Sequence, residues 1–135
     1  MKMIPTIQHV DPGTEFFTTE GCHIIELSNT LTDPDLSIAR ARVEPGCTTR
    51  WHRLHETAER YVILDGRGVM ELEGVAAQTV HVGDVVSIPP GCPQRISNTG
   101  QTDLIFLALC TPRFQPLCYE DVDAAMTAGA ASIRR

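Results

Sequence analysis

The chain of 135 residues is 42% apolar and 21% charged, a composition that predicts one globular domain with a single hydrophobic core. Its formal net charge of −6 would repel a phosphate backbone, so nucleic acid is not an expected partner. No apolar run is long enough to cross a bilayer and Pro5 interrupts the first residues, so we expect no membrane partner, no signal peptide and a cytoplasmic location.

The first residues predict an arm followed by a strand. Residues 1–22 show little periodicity and contain a turn sequence around Pro12, so we interpret them as an arm with one short strand at residues 6–10. Residues 23–27 are apolar and β-branched, which predicts a strand that ends in a polar loop. We expect the arm to pack on the domain or to contact a second subunit.

Residues 37–43 alternate in character along the chain. This alternation places Arg40 and Arg42 on one face of a strand and small side chains on the other. Two interpretations are open: the arginines project into solvent from an outer face, or they clamp an anion inside a pocket.

Short β-type segments continue up to residue 110, separated by turns rich in glycine and proline. They cover residues 48–54, 59–64, 69–72, 79–82, 85–88, 94–97 and 104–110. Because none has a helical period, together they predict an antiparallel barrel or sandwich. Residues 111–116 contain two prolines and should lie outside it, and the Ala-rich residues 119–135 predict a short helix or a frayed tail.

The cysteines do not form a recognisable framework. They are odd in number and have no CxxC spacing, so neither disulfides nor a zinc knuckle is expected. We expect reduced thiols, most of them buried. The set is Cys22, Cys47, Cys92, Cys110 and Cys118.

Two clusters of residues resemble the signature motifs of the cupin superfamily. The first matches at Gly46, His52, Glu59 and Gly66, and the second at Gly83, Pro89, Gly91 and Asn98. The similarity covers about residues 36–110 and is to single-domain cupins of the compact bacterial type, so one domain over residues 1–135 is expected. It implies an all-β fold, an antiparallel double-stranded β-helix or jelly roll, with the arm and a C-terminal helix or tail outside it. It also implies a divalent metal in the open end of the barrel.

The chain departs from the family pattern at two histidine positions. Leu54 stands at the second histidine position of the first motif, with His55 one residue later, and Gln94 stands at the histidine position of the second motif. The metal ligands that the resemblance implies are therefore His52, His55, Glu59 and Gln94. A set of nitrogen and oxygen donors suits Fe(II), Mn, Ni, Co or Zn.

There are two ways in which His55 could join this set of ligands. Side chains alternate along a strand, so in a regular strand His55 points away from His52. A β-bulge would rotate it toward the metal, or the strand ends at Leu54 and His55 lies on a loop where the alternation no longer applies. In a third arrangement there is no metal: His52 bonds to Glu59, and Gln94 satisfies a buried polar group.

Three functional hypotheses follow from the resemblance. The first is a metal-dependent enzyme of isomerase, lyase or dioxygenase type on a small polar or anionic metabolite, with Glu59 as the catalytic general base if it is not a ligand. The second is a binding module for a sugar-like ligand, with a degenerate metal site and no chemistry. The third is a structural role as half of a homodimer, and a homodimer is expected in each case.

Overall fold

The computed structural model describes residues 3–133, and the side chains of residues 3–129. Over this range the chain forms eleven strands, two 3₁₀ turns and one α-helix. The strands are β1 Phe16–Phe17, β2 His23–Ser28, β3 Ser37–Val43, β4 His52–Leu54, β5 Ala58–Asp65, β6 Arg67–Leu72, β7 Val75–His81, β8 Val85–Ile88, β9 Gln94–Asn98, β10 Leu104–Thr111 and β11 Tyr119–Asp121. The 3₁₀ turns are Pro12–Thr14 and Pro116–Cys118, and the helix α1 is Asp123–Ile133.

The strands pair into two antiparallel sheets. One has six strands in the order β1-β2-β3-β10-β5-β8, and the other has five in the order β11-β4-β9-β6-β7. The two cupin-like motifs contribute to both sheets, because β5 lies in the first while β4 and β9 pair in the second. This is the predicted all-β barrel of jelly-roll type, and the topology places motif residues opposite one another across the interior.

The core lies between the two sheets, and strand alternation builds it. In β10 the side chains of Leu104, Phe106, Ala108 and Cys110 point inward and are buried, while the residues between them are half-buried. Strands β3 and β5 flank β10 in the same sheet and supply further inward rows. The larger buried side chains packed with this row include Val43, Tyr61, Ile63, Met70, Ile88 and Ile96.

Two strand predictions are wrong in position, and the predicted C-terminal helix or tail is wrong over its first residues. Residues 6–10 form no strand, and their apolar side chains are exposed, Ile7 at 84%. Within residues 48–54 only β4 is a strand, since Thr48 makes a single isolated bridge. Residues 119–121 form β11, because the open edge of β4 offers backbone partners that outweigh the local preference for a helix.

The C-terminal helix is confirmed, and it begins at Asp123. None of the helices in residues 3–133 is long and apolar enough to cross a membrane.

Most motif residues outside the site determine the backbone conformation of turns. Gly46, Gly66, Gly83 and Gly91 have φ angles of 77°, 78°, 92° and 79°, in the left-handed region that favours glycine. The Asn98 amide donates to the carbonyls of Val43 and Thr102, both at 2.8 Å, and thereby fastens the turn between β9 and β10. These positions explain the motif spacing through turn geometry rather than ligand contact.

Candidate functional site

A small cavity opens at one end of the six-stranded sheet. Its volume is about 120 Å³. The space exists because the inward residues of β3 and β10 at this end are small, Ala39 and Ala108 among them. The full lining is Phe16, Thr18, Glu20, Ile24, Glu26, Ser37, Ala39, Glu59, Ala108, Cys110 and Phe114.

Glu59 is the buried carboxyl group of this cavity. It lies on the inward face of β5 and is 8% exposed. Gln94 Nε2 donates to its Oε1 at 3.0 Å, and the Cys110 thiol lies 3.6 Å from its Oε2. Burial raises the pKa of Cys110, so the thiol keeps its proton and is the donor in this contact.

A hydrogen-bonded chain fixes the orientation of Gln94. The Tyr61 hydroxyl donates to Gln94 Oε1 at 2.6 Å, while the amide nitrogen of Gln94 faces Glu59. Burial raises the pKa of Tyr61 well above its ordinary value, so its hydroxyl stays protonated. Since Gln94 is fully buried on β9, both of its polar atoms find their partners inside the barrel.

The surroundings of Glu59 raise its pKa to about 7. Burial is the largest cause, because the charged form loses its hydration, and the nearby charge of Glu20 acts in the same direction. The charge of His52 and the hydrogen bond from Gln94 oppose the rise without cancelling it. A carboxyl group with this pKa can both take up and release a proton near neutral pH.

His52 enters the barrel from the opposite sheet. It is 2% exposed, and its register partner across the strand pair is Gln94. Its Nδ1 lies 2.8 Å from the carbonyl of Arg50, which can only accept, so Nδ1 carries a proton. Its Nε2 lies 3.5 Å from Glu20 Oε2. The sequence offered no signal for Glu20, which reaches His52 from the loop between β1 and β2.

The loop that carries Glu20 is held in place by its backbone. The Arg50 amide donates to the Glu20 carbonyl at 2.8 Å, which ties this loop to the residues just before β4. Gly21 follows with a φ of 101°, a conformation that favours glycine and turns the chain into β2. Glu20 is therefore brought to His52 by contacts between residues distant in sequence.

Tyr119 is a second residue of this region that sequence reasoning missed. Its ring stacks on the His52 ring with centroids 5.2 Å apart. Its hydroxyl oxygen is buried and forms no hydrogen bond with any residue of the described range. A buried hydroxyl without a partner is costly, so this atom is available to a polar group that enters the barrel.

His55 does not join the other predicted ligands. It lies just beyond β4, its side chain is 49% exposed, and its Nε2 contacts Glu120 Oε1 at 2.7 Å. The pairing of β4 with β11 is regular, so no bulge rotates the chain. The strand does end at Leu54, yet the alternation still holds, since His52 and Leu54 are buried and His55 faces outward.

The donor set as folded does not fit a divalent metal. Residues 3–129 contain no group of three or more His, Cys, Asp or Glu side chains that could hold one. The oxygen of the Gln94 amide, the atom a cation would need, already accepts the Tyr61 hydroxyl. The other end of that amide is a donor and faces Glu59. His52 Nε2 and the Glu59 carboxylate remain as donors, which is fewer than transition-metal sites use.

The two arginines of β3 do not line the cavity. The Arg42 guanidinium contacts Glu15 at 2.6 Å and Asp103 at 3.2 Å. Both contacts lie on the outer face of the sheet, the face of the first interpretation, although Arg42 is paired with carboxylates there and does not project freely into solvent. Neither arginine is in the lining of the cavity, where the second interpretation would place an anion clamp.

Comparison with known proteins gives a family match. Residues 39–110 match the family model described as "Cupin domain". The uncharacterized protein MJ1618 of Methanocaldococcus jannaschii is 34% identical over 125 residues, which cover 91% of this chain and 95% of that protein. The oxalate-binding protein of Thermotoga maritima is 38% identical over 71 residues, which cover 53% of this chain and 58% of that protein.

A solved structure shows the same fold. The Cupin 2 conserved barrel domain protein of Salinispora arenicola superposes with a TM-score of 0.68 at 22% identity. The superposition covers 80% of this chain and 89% of that one. At this identity the likeness concerns the architecture alone.

Proposed function

The chain belongs to the cupin family, and we propose that it is a small-molecule enzyme in which Glu59 exchanges a proton with a ligand bound in the cavity. The observation that carries this proposal is a carboxyl group that is 8% exposed, lines a cavity and has a pKa of about 7. Buried carboxyls with strongly shifted pKa values concentrate at catalytic sites, where a general base or acid must titrate near the working pH.

The neighbours of Glu59 suit a proton-transfer role. Gln94 holds Oε1 by one hydrogen bond, while Oε2 has only the long contact with the Cys110 thiol. Oε2 is therefore the oxygen that is more available to a ligand, because it has no short hydrogen bond within the protein. The ionised form takes a proton from the ligand, and the protonated form returns one at another atom of the same ligand. The small volume of the cavity limits how much water accompanies the ligand.

A screen of small compounds in deuterated water tests the proposal across several substrate classes. Hydroxy, keto and amino compounds are incubated with the protein, and proton NMR records both conversion and deuterium incorporation. We expect at least one compound to react, and the Glu59→Gln variant to lower its rate roughly 100-fold or more. The rate should rise with pH around the pKa of Glu59, near 7, if the ionised form begins the reaction.

The matched control is Glu73→Gln. Glu73 is an exposed carboxylate in the turn between β6 and β7, outside the cavity, so the same chemical change there should leave the rate unaltered. A reaction that proceeds equally fast in wild type and Glu59→Gln would refute the role of Glu59.

A binding protein without chemistry is the second candidate. The partial similarity to an oxalate-binding protein supports it. In that case ligands bind to the wild type without any conversion or exchange, and the Glu59→Gln substitution changes affinity only.

The homodimer predicted from the sequence remains a proposal, whereas the predicted metal site is no part of the proposed function, because its donor set does not fit a divalent ion. A metal at His52, Glu59 and Gln94 would have to share the Gln94 oxygen with the Tyr61 hydroxyl. Self-association is supported by the arm, whose Ile4 and Ile7 side chains are 61% and 84% exposed and would be covered by a second copy of the chain.

A further inference from the structure

We propose that the ligand of this cavity is a compact organic cation, a protonated amine or quaternary ammonium with a small apolar body. This inference rests on the proposed function, since it names the substrate class of the same site. It differs from the polar or anionic metabolite expected from the sequence, and it follows from the charges, the aromatic rings and the size of the cavity.

The charge of the lining is one-sided. Glu20, Glu26 and Glu59 line the cavity, and its described lining contains no Lys, Arg or His. Within the described residues neither Glu26 nor Glu59 forms an ion pair with Lys or Arg, and Glu20 has only His52, at 3.5 Å. Carboxylates that lack a partner repel an anion and attract a cation. Burial raises the pKa of Glu26 and of Glu59, and a cation bound between them would favour their ionised forms.

One histidine and one arginine lie near this cluster, and neither belongs to the lining of the cavity. His52 approaches from the opposite sheet, and Arg113 acts on Glu26 from a distance while its Nε donates to Asn29 at 2.9 Å. The guanidinium is thereby engaged outside the cavity. A cation bound in the cavity would therefore be held by carboxyls that have no Lys or Arg partner among the described residues.

Aromatic and apolar side chains complete the surroundings of a cation. Phe16 and Phe114 belong to the lining, from β1 and from the segment after β10. The face of a phenyl ring attracts a cation, and ammonium groups are often held between rings and carboxylates. Ile24 and two alanines supply the apolar surface that the body of such a ligand would contact.

The size of the cavity restricts the ligand to a few heavy atoms. Its volume of about 120 Å³ is well below that of pockets for drug-sized molecules, which are roughly 300–1,000 Å³.

Isothermal titration with charged and neutral probes of equal shape tests the inference. Choline is compared with 3,3-dimethylbutan-1-ol, which replaces the ammonium nitrogen by carbon, and ethanolamine and tetramethylammonium extend the cationic set. Oxalate is the anionic probe. We expect at least one cation to bind, choline to bind roughly tenfold more tightly than its neutral analogue, and oxalate not to compete with it.

Two variants separate the contributions of charge and ring. Glu26→Gln should weaken choline roughly three- to fivefold, since Glu26 sits at the exposed edge of the cavity. Phe114→Leu keeps an apolar side chain but removes the ring, and should weaken choline roughly two- to fivefold while leaving 3,3-dimethylbutan-1-ol unchanged. Glu73→Gln serves as the control and should bind choline as the wild type does.

The inference is overturned if no cation of the set binds more tightly than its neutral analogue, or if oxalate binds in preference. It is also overturned if choline affinity is the same in Glu26→Gln and Phe114→Leu as in wild type. These outcomes leave the proton-transfer role of Glu59 intact, because that role depends on the loss of turnover in Glu59→Gln. Conversely, cation binding with no turnover would retain the ligand class and refute the enzyme.

Discussion

The raised pKa of Glu59 predicts that this residue destabilises the folded protein at high pH. The pKa rises from 4.5 to about 7 on folding because burial disfavours the charged form. The folded chain therefore holds this proton more tightly than the unfolded chain, and the resulting stability is complete below about pH 4.5 and is lost as the pH rises toward 7. A shift of this size corresponds to about 3 kcal/mol of unfolding free energy.

The Glu59→Gln substitution should remove this pH dependence. The variant keeps an oxygen to accept the Gln94 amide but has no charge to bury, so it should gain on the wild type as the pH rises. Between about pH 5.5 and about pH 8.5 the difference in unfolding free energy between the two proteins should change by about 2 kcal/mol, with the variant favoured at the higher pH. Any difference in stability between the two proteins that comes from side-chain packing is the same at both pH values, so it cancels from this change.

Urea unfolding of both proteins at several pH values measures the effect. The variant Glu73→Gln, which changes an exposed carboxylate, provides the reference, and its unfolding free energy should change with pH as that of the wild type does. If wild type and Glu59→Gln have parallel pH dependences, Glu59 does not titrate near 7 and the reasoning about its burial is wrong. A variant that loses stability relative to wild type with rising pH would show a carboxylate stabilised by an unrecognised cation.

Three further predictions concern other parts of the chain. Metal analysis after incubation with Fe(II), Mn and Ni tests the misfit of the predicted metal ligands: we expect no stoichiometric metal, and metal that is bound by the wild type and lost in His52→Ala would contradict the misfit. Light scattering should show a dimer that Ile7→Asp weakens, because that side chain is 84% exposed in the single chain; a monomeric wild type would contradict the homodimer. Gly68→Ala should cost roughly 2–3 kcal/mol in thermal unfolding, since its Cβ would clash with the Ser97 carbonyl oxygen, whereas Gly129→Ala meets open space and should not destabilise. Equal stability of the two glycine variants would contradict that packing.

The predicted site residues illustrate how far a local pattern reaches. The spacing of the motifs identified His52, Glu59 and Gln94 as candidates. All three lie in the barrel interior, because strand alternation places them on inward faces. His55 was included by its closeness to a motif position, and it lies outside because its strand runs regularly up to Leu54. Parity along the strand, applied strictly, would have excluded it.

The acidic and aromatic lining of the cavity lies beyond any local pattern. Glu20 and Phe16 come from the N-terminal segment, and Phe114 comes from a proline-rich segment without a motif. Phe16 reaches the cavity through the pairing of β1 with β2. Glu20 and Phe114 are held by hydrogen bonds from residues far apart in sequence, Arg50 to Glu20 and Phe114 to Ser37. The ligand preference inferred from this lining therefore differs from the one that the motifs implied.

The order of residues along the chain was enough to establish the class of fold and the strand that carries each motif residue, because turns and alternation are local properties of the backbone. Only the folded barrel decided the state of Glu59, since its pKa depends on burial and on Glu20 and His52, which lie on other segments. Solvation and electrostatic interaction act through space between residues far apart in sequence, so no motif in the chain encodes them.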